Sequence, residues 1–403
     1  MAEILEVTNV PEYDNVITGL EYHNHQAYNS SKFESSDESR ICIQSQDLYT
    51  LPSESVLNIE GQVTDDSTTD DAVTNTVRFI SNAISFMFHE IRYEIGGKVI
   101  DVINNVGIVS TIKNYLSLNE NQSKALENAG FGENFKRDAT GYFNVRIPLK
   151  MYMGFFEDYP KILVNMKQEI VIVRANDDIN CFTSTVATSK PKIKINKLEW
   201  CVPYVKVSDK MRVKLYNLVN QNDDLRLWFR SMECLLIPEL PLTDRHVWSV
   251  KTSVECPNYA VICFQTNRDR NILKDSSQFD HCNITNLKVY LNGEAYPYVN
   301  LNLNYTNKQT ALLYEMYCNF QKSYYRRSIT EPLLDKETFI NKSPLFVIDC
   351  SKHPESLKST TVDLRVEFEA SANFPAKTRA YCIVFHDRLF KYNPLTNIVN
   401  RVV

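Results

Sequence analysis

One hairpin is written twice in this chain, and that repetition constrains the fold more than any other feature. Residues 89–100 read HEIRYEIGGKVI, and residues 285–298 read TNLKVYLNGEAYPY. In the first, Ile91, Tyr93 and Ile95 alternate with Arg92 and Glu94; in the second, Leu287, Val289 and Leu291 alternate with Lys288 and Tyr290. A period of two turns one set of side chains to a buried face and the other to solvent. Gly96-Gly97 and Asn292-Gly293 then offer the positive φ angles of a two-residue hairpin turn. The second glycines are 293 − 97 = 196 positions apart in a chain of 403 residues. The same shift brings Pro148-Leu149 onto Pro344-Leu345, and Ile170 and Ile172 onto Val366 and Phe368. Such a period is too long for a solenoid or a propeller blade and is the size of a domain. The spacing therefore predicts a duplicated domain.

The length suffices for two domains with a core each. Apolar residues make up 43% and charged residues 23%, and the 22 Tyr and 20 Phe suit aromatic sheet cores. A net charge of −5 argues against a general nucleic-acid binder, which needs a surplus of Lys and Arg on one face. No run of about 18 uncharged apolar residues occurs, so no transmembrane segment is expected. The acidic start MAEILEVTNVPEYD lacks the basic and apolar regions of a secretory leader. The 10 cysteines stand singly, with no CxxC, and read as reduced, mostly buried thiols of an intracellular protein.

Residues 1–38 are polar and aperiodic, which predicts a flexible N-terminal arm. Strands follow at RICIQSQDLYTLP and SVLNIEGQV, with the acidic stretch Asp65 to Asp71 read as a solvated tip. Between Gly107 and Asn128 the pattern changes, and Ile112, Tyr115, Leu116 and Leu118 fall near one side of a helix. A loop, Asn128 to Gly141, leads back to strands. SDKMRVKLYNLVNQN reads as a connecting helix, with Ser208 as its cap and Met211, Val213, Leu215, Leu218 and Val219 on its apolar side. In the second half, Leu312, Leu313, Met316, Tyr317 and Phe320 form a helical stripe. The finish reads as two long antiparallel strands joined by a polar loop. The division expected is an arm at 1–38, a first domain at 39–206, a helical connector at 207–222 and a second domain at 223–403. Many short strands with one or two inserted helices per half predict an all-β chain of two tandem β-sandwiches. With about eight strands per half, the jelly roll is the natural topology.

No catalytic constellation is present: GxSxG, the P-loop, HExxH and the glycine-rich dinucleotide loop are all missing. Catalytic, cofactor-binding and metal-ligating residues are each read as none, and no cofactor is expected. His23-Asn24-His25 is the only close histidine pair. His281-Cys282 and Asp349-Cys350 read as a buried thiol beside a surface group, because neighbours in a strand point to opposite faces. The cluster KSYYRR, Lys322 to Arg327, reads as a solvated or subunit-contacting face.

Several long stretches then carry a resemblance: QDLYTLPSESVLNIEG, FHEIRYEIGGKVID, FDHCNITNLKVYLN, ALLYEMYCNFQKSYY and AYCIVFHDRLFKYNPLTNIV. Over roughly residues 38–403 the chain resembles the double jelly-roll proteins of insect genomes. It likewise resembles the double jelly-roll major capsid proteins of Polinton- and adintovirus-like DNA viruses. The resemblance implies two tandem jelly rolls per chain, with three chains forming a pseudo-hexagonal homotrimeric capsomer. Such capsomers tile an icosahedral shell around double-stranded DNA, meeting penton and minor capsid proteins, without gripping the DNA strongly. The implied location is the virion capsid, assembled inside the cell, in the nucleus or the cytoplasm. A host-domesticated shell protein is the alternative. A β-sandwich carbohydrate-binding module or a jelly-roll enzyme would need an aromatic platform or a His cluster that the residues do not offer.

Overall fold

The structure is a computed structural model that describes residues 16–402, apart from 28–32, 45–48, 66–75, 133–134, 139, 253, 256 and 353–361. Of twenty strands in the described residues, sixteen frame two sandwiches; Tyr49–Thr50 and Ile398–Arg401 add a short strand to one sheet of each half, and Arg78–Phe79 pairs with Phe182–Thr183. The first contains β1 (Ile17–Gln26), β2 (Glu38–Ile43), β3 (Val56–Asp65), β4 (Phe88–Ile95), β5 (Lys98–Asn104), β6 (Tyr142–Pro148), β7 (Gln168–Arg174) and β8 (Pro191–Val207). The second contains β9 (Leu225–Ile237), β10 (Arg245–Val250), β11 (Pro257–Thr266), β12 (Ile284–Leu291), β13 (Glu294–Tyr296), β14 (Phe346–Asp349), β15 (Leu364–Ala370) and β16 (Thr378–Asn393).

In the first half the sheets run β1-β8-β3-β6 and β2-β7-β4-β5; in the second they run β9-β16-β11-β14 and β10-β15-β12-β13. Adding eight to each label of the first pair gives the second. Every pairing is antiparallel, so each half is an eight-stranded jelly roll. Aromatic side chains bridge the two sheets of each roll: Tyr93 of β4 meets Trp200 of β8 edge-on at 6.2 Å, and Phe264 of β11 meets Phe368 of β15 at 5.2 Å. Pairs of this kind add about 1 kcal/mol beyond the area they bury.

The repeated hairpins occupy equivalent places, β4–β5 and β12–β13. Gly97 has φ +77° and Gly293 φ +91°, and their preceding residues Gly96 and Asn292 are also left-handed. The register repeats too. Ile91 faces Ile172 and Tyr93 faces Ile170, while 196 residues on Leu287 faces Phe368 and Val289 faces Val366. The Pro-Leu match is a coincidence of spacing. Pro148 ends β6, whereas Pro344 precedes β14, so the two sit at opposite ends of equivalent strands.

The structure corrects the expected boundary at residue 38. Residues 17–26 form a ten-residue strand, β1, that pairs along β8 from Ile17↔Val207 to Gln26↔Glu199. Its polar sequence belongs to an edge strand that buries none of its residues, so alternation never appears in it. The remaining arm, residues 1–15, lies outside the described residues, as do Cys256, His353 and residues 66–75. Asp65 itself is fully buried and accepts a hydrogen bond from the Lys190 amide at 3.1 Å, so it is no solvated tip. The closing strands β15 and β16 fall in different sheets, because a jelly roll carries its last connection across the sandwich rather than back along one sheet.

Seven α-helices are inserted among the described residues: α1 (Ala83–Phe86), α2 (Val106–Ser117), α3 (Glu120–Ala125), α4 (Gly154–Asp158), α5 (Asp209–Asn220), α6 (Ala311–Tyr324) and α7 (Lys336–Lys342). The sequence gives α2 one apolar side, yet all twelve of its residues are buried. It is wedged between the rolls; several of its polar side chains are met from within the first roll, while the buried Asn114 Nδ2 has no hydrogen-bond partner among the described residues. Asn82 Nδ2 donates to Ser110 and Thr111 at 2.8 and 3.0 Å, and Lys113 pairs with Glu157 at 3.0 Å. The connecting helix α5 buries nothing, and Ser208 makes no side-chain cap.

Candidate functional site

The pairs that suggested chemistry do not converge. His23 and His25 lie on edge strand β1; the His23 ring sits tilted against Tyr204 at 4.5 Å, and His25 Nε2 meets the Tyr204 hydroxyl at 3.1 Å. His281 stacks on Tyr305 at 4.1 Å, and its Nδ1 accepts the Asn283 amide. Cys282 is buried with a left-handed backbone rather than lying in a strand, and burial pushes its thiol up to about 12. Asp349 accepts from the Ser351 amide and hydroxyl, and the thiol of buried Cys350 is also raised by burial. Raised thiols are poor nucleophiles. Among the described residues no group of three or more His, Cys, Asp or Glu is placed to hold a metal ion.

The most elaborate arrangement of polar groups is the seam between the rolls. Helix α4, which follows β6 in the first roll, lies against β9 of the second. Gly154 permits this: a Cβ there would stand 1.6 Å from the Arg230 carbonyl oxygen. Asp158, at the other end of α4, takes Arg230 in a fork. Oδ2 accepts from the Arg230 amide at 2.9 Å and from Nε at 2.8 Å, and Oδ1 accepts from Nη2 at 2.5 Å. Arg230 also lies 3.8 Å over the Tyr324 ring and donates to the Tyr324 carbonyl at 2.7 Å. Planar charge, two-point acceptance and stacking together are a task for arginine rather than lysine.

Beside it, the wholly buried Asp101 of β5 accepts from the Ser231 hydroxyl of β9 and from the amides of Phe155 and Val102. Burial pushes its carboxyl above the usual range, while Arg388 of β16 opposes the rise. Arg388 donates to the Ile100 carbonyl at 3.1 Å and to His386 Nε2 at 3.1 Å. Burial holds His386 down to about 3, so its ring is neutral. Further along the seam Tyr317 of α6 donates to the Tyr115 carbonyl of α2 at 2.8 Å, and Phe155 meets Phe229 edge-on at 5.3 Å. Tyr324 and Tyr325 of the KSYYRR cluster thus serve the seam, and Arg327 lies 5.1 Å over Tyr325. The sequence held one unused signal for all this: Gly154 standing alone among the aromatics of MYMGFFEDYP.

Outside the seam, exposed apolar side chains include two groups whose members lie close together in the fold. Ile17, Leu20 and Tyr22 of β1 are exposed, as are Val213 and Tyr216 of the neighbouring α5. On the second roll, Tyr298 and Val299 just past β13 are exposed beside Leu312 of α6. Within the loop 128–141, Phe135 instead turns inward, 4.9 Å from Phe79 and 6.3 Å from Phe143.

The sequence matches the double jelly roll-like domain family over residues 77–390, which takes in most of both rolls. No curated protein matches it. Among solved structures, a chain of the PBCV-1 virus capsid is similar with a TM-score of 0.62 at 10% identity, covering 98% of each chain. A chain of the Sputnik virophage gives 0.61 at 9% identity over 99% of this chain and 92% of its own. The mavirus major capsid protein gives 0.57 at 8% identity over 99% and 93%.

Proposed function

The chain belongs to the double jelly roll-like domain family, and on that premise we propose that it is a structural major capsid protein. In this reading three copies form a pseudo-hexagonal capsomer, and the capsomers tile an icosahedral shell. The observation that carries the reading is the duplication itself. Two rolls with the same strand order and register are locked into one rigid unit by a buried seam. Three such units supply six similar lobes, so a three-fold oligomer presents near six-fold edges for tiling. The polar groups of the seam serve packing, and the chain builds rather than catalyses.

The shell encloses double-stranded DNA without gripping it, in keeping with a net charge of −5. The capsomers would meet penton and minor proteins, with the arm before β1 making protein contacts beneath the shell, and the mature location is the virion capsid. Electron microscopy of the purified recombinant protein in negative stain tests the reading. Hexagonal bricks or closed shells are expected, and a dispersed monomer at high concentration contradicts it. A gel shift at low salt tests the DNA clause, where tight binding with a steep salt dependence would contradict weak contact.

A further inference from the structure

Equivalent elements of the two rolls are buried very differently, and the difference marks a surface. Inside the chain, β9 is the first strand of the second roll and the edge of its sheet. The first roll covers it from Phe229 onward, although Trp228 stays 50% exposed: α4 packs along it, Asp101 bonds Ser231, and Asn105 Nδ2 approaches Cys234 Sγ at 3.8 Å. Strand β1 holds the same place in the first roll, yet among the described residues nothing buries its outer face; Leu20 is 47% and Tyr22 54% exposed. The covering side shows the complementary difference. Beside α4, segment Ile100–Asn105 and helix α2 of the first roll also meet the second roll, and every residue of α2 is buried. Their counterparts in the second roll are residues 296–301 and helix α6. Tyr298 is 91% exposed there, and α6 buries only Leu313, Tyr317, Phe320 and Gln321. Leu312 and Met316 on the remaining side line an apolar groove of about 380 Å³ with Tyr298 and Val299.

We propose that the edge of β1 in one copy is covered by the Tyr298–Val299 segment and the open side of α6 in a second copy. The contact repeats head-to-tail, between chains, the one that covers β9 within the chain. It rests on the self-assembly proposed above and gives that assembly its faces. Two different surfaces meet, so the contact is heterologous and closes only by going round a ring. An exposed ten-residue edge strand carrying apolar side chains also invites pairing in any wrong register, and a dedicated cover removes that hazard.

Two variants test the proposal, each confined to exposed residues so that folding is preserved: Leu20→Glu with Tyr22→Glu on β1, and Tyr298→Glu with Leu312→Glu on the second roll. Thermal melts within a few degrees of wild type establish that both fold, and the milder Leu20→Ala and Leu312→Ala serve if either does not. Mass photometry and sedimentation then read the oligomer. Each variant alone is expected to be monomeric where wild type is assembled. Their equimolar mixture is expected to form dimers and nothing larger, because one intact face remains on each. Retention of the wild-type oligomer by either variant, or a mixture that stays monomeric, overturns the proposal and leaves capsid assembly standing through other faces. A monomeric wild type overturns both.

Discussion

Gly154 of the first roll lies so close to Arg230 of the second that a methyl group on its Cα would stand 1.6 Å from the Arg230 carbonyl oxygen. The two rolls therefore meet backbone to side-chain-free backbone, and no rotamer change can relieve a substitution. Gly154→Ala is expected to wedge the seam and cost about 3 kcal/mol or more. Gly97→Ala is the control. Its Cβ would meet nothing within 4 Å, so only the left-handed backbone is penalised, at about 1–2 kcal/mol. Urea unfolding of the two variants measures the difference, and equal losses would show that the seam is not close-packed there.

The Asp158–Arg230 fork should behave as a coupled buried pair. The side chains are 8% and 16% exposed, so removing one partner strands the other. Arg230→Ala is expected to cost about 3–5 kcal/mol. Arg230→Lys should recover little, since an ammonium offers neither the fork nor the stacking on Tyr324. A double-mutant cycle with Asp158→Asn reads the coupling, and additive losses would mean that the pair contributes nothing jointly.

His386 predicts acid lability. Its ring is 2% exposed, and burial, with Arg388 and Arg401 nearby, lowers it from 6.5 to about 3. A depressed histidine binds its proton more readily in the unfolded chain, so its contribution is full above pH 6.5. That contribution is lost as pH falls from 6.5 toward 3. The full span corresponds to roughly 5 kcal/mol. Stability measured from pH 7 to pH 4 should fall more steeply in wild type than in His386→Gln, by nearly one proton per molecule near pH 5. Parallel profiles would exclude this role for His386.

Much of this fold was legible because buried strands write their pattern plainly. Ile91, Tyr93, Ile170 and Ile172 and their partners 196 residues on each alternate because one face of a sandwich is dry, and the hairpin glycines are demanded by positive φ. Strand β1 was illegible for the opposite reason: an uncovered edge has no dry face, so its polar residues look like an arm. Helix α2 misled differently. Its Ser110, Thr111 and Lys113 are polar yet buried, because Asn82 and Glu157, distant along the chain, supply partners that local periodicity cannot register. The seam residues Asp101, Asp158 and Arg230 are ordinary charges in the sequence and become partners only once two distant halves meet.

The most direct test of the central claim is the mass of the purified protein in solution at micromolar concentration, measured by mass photometry without DNA present. The account predicts a particle of three chains, persisting after nuclease treatment and built from rolls that stay joined. A protein that remains a single chain across that concentration range, or assembles only when DNA is added, would contradict it.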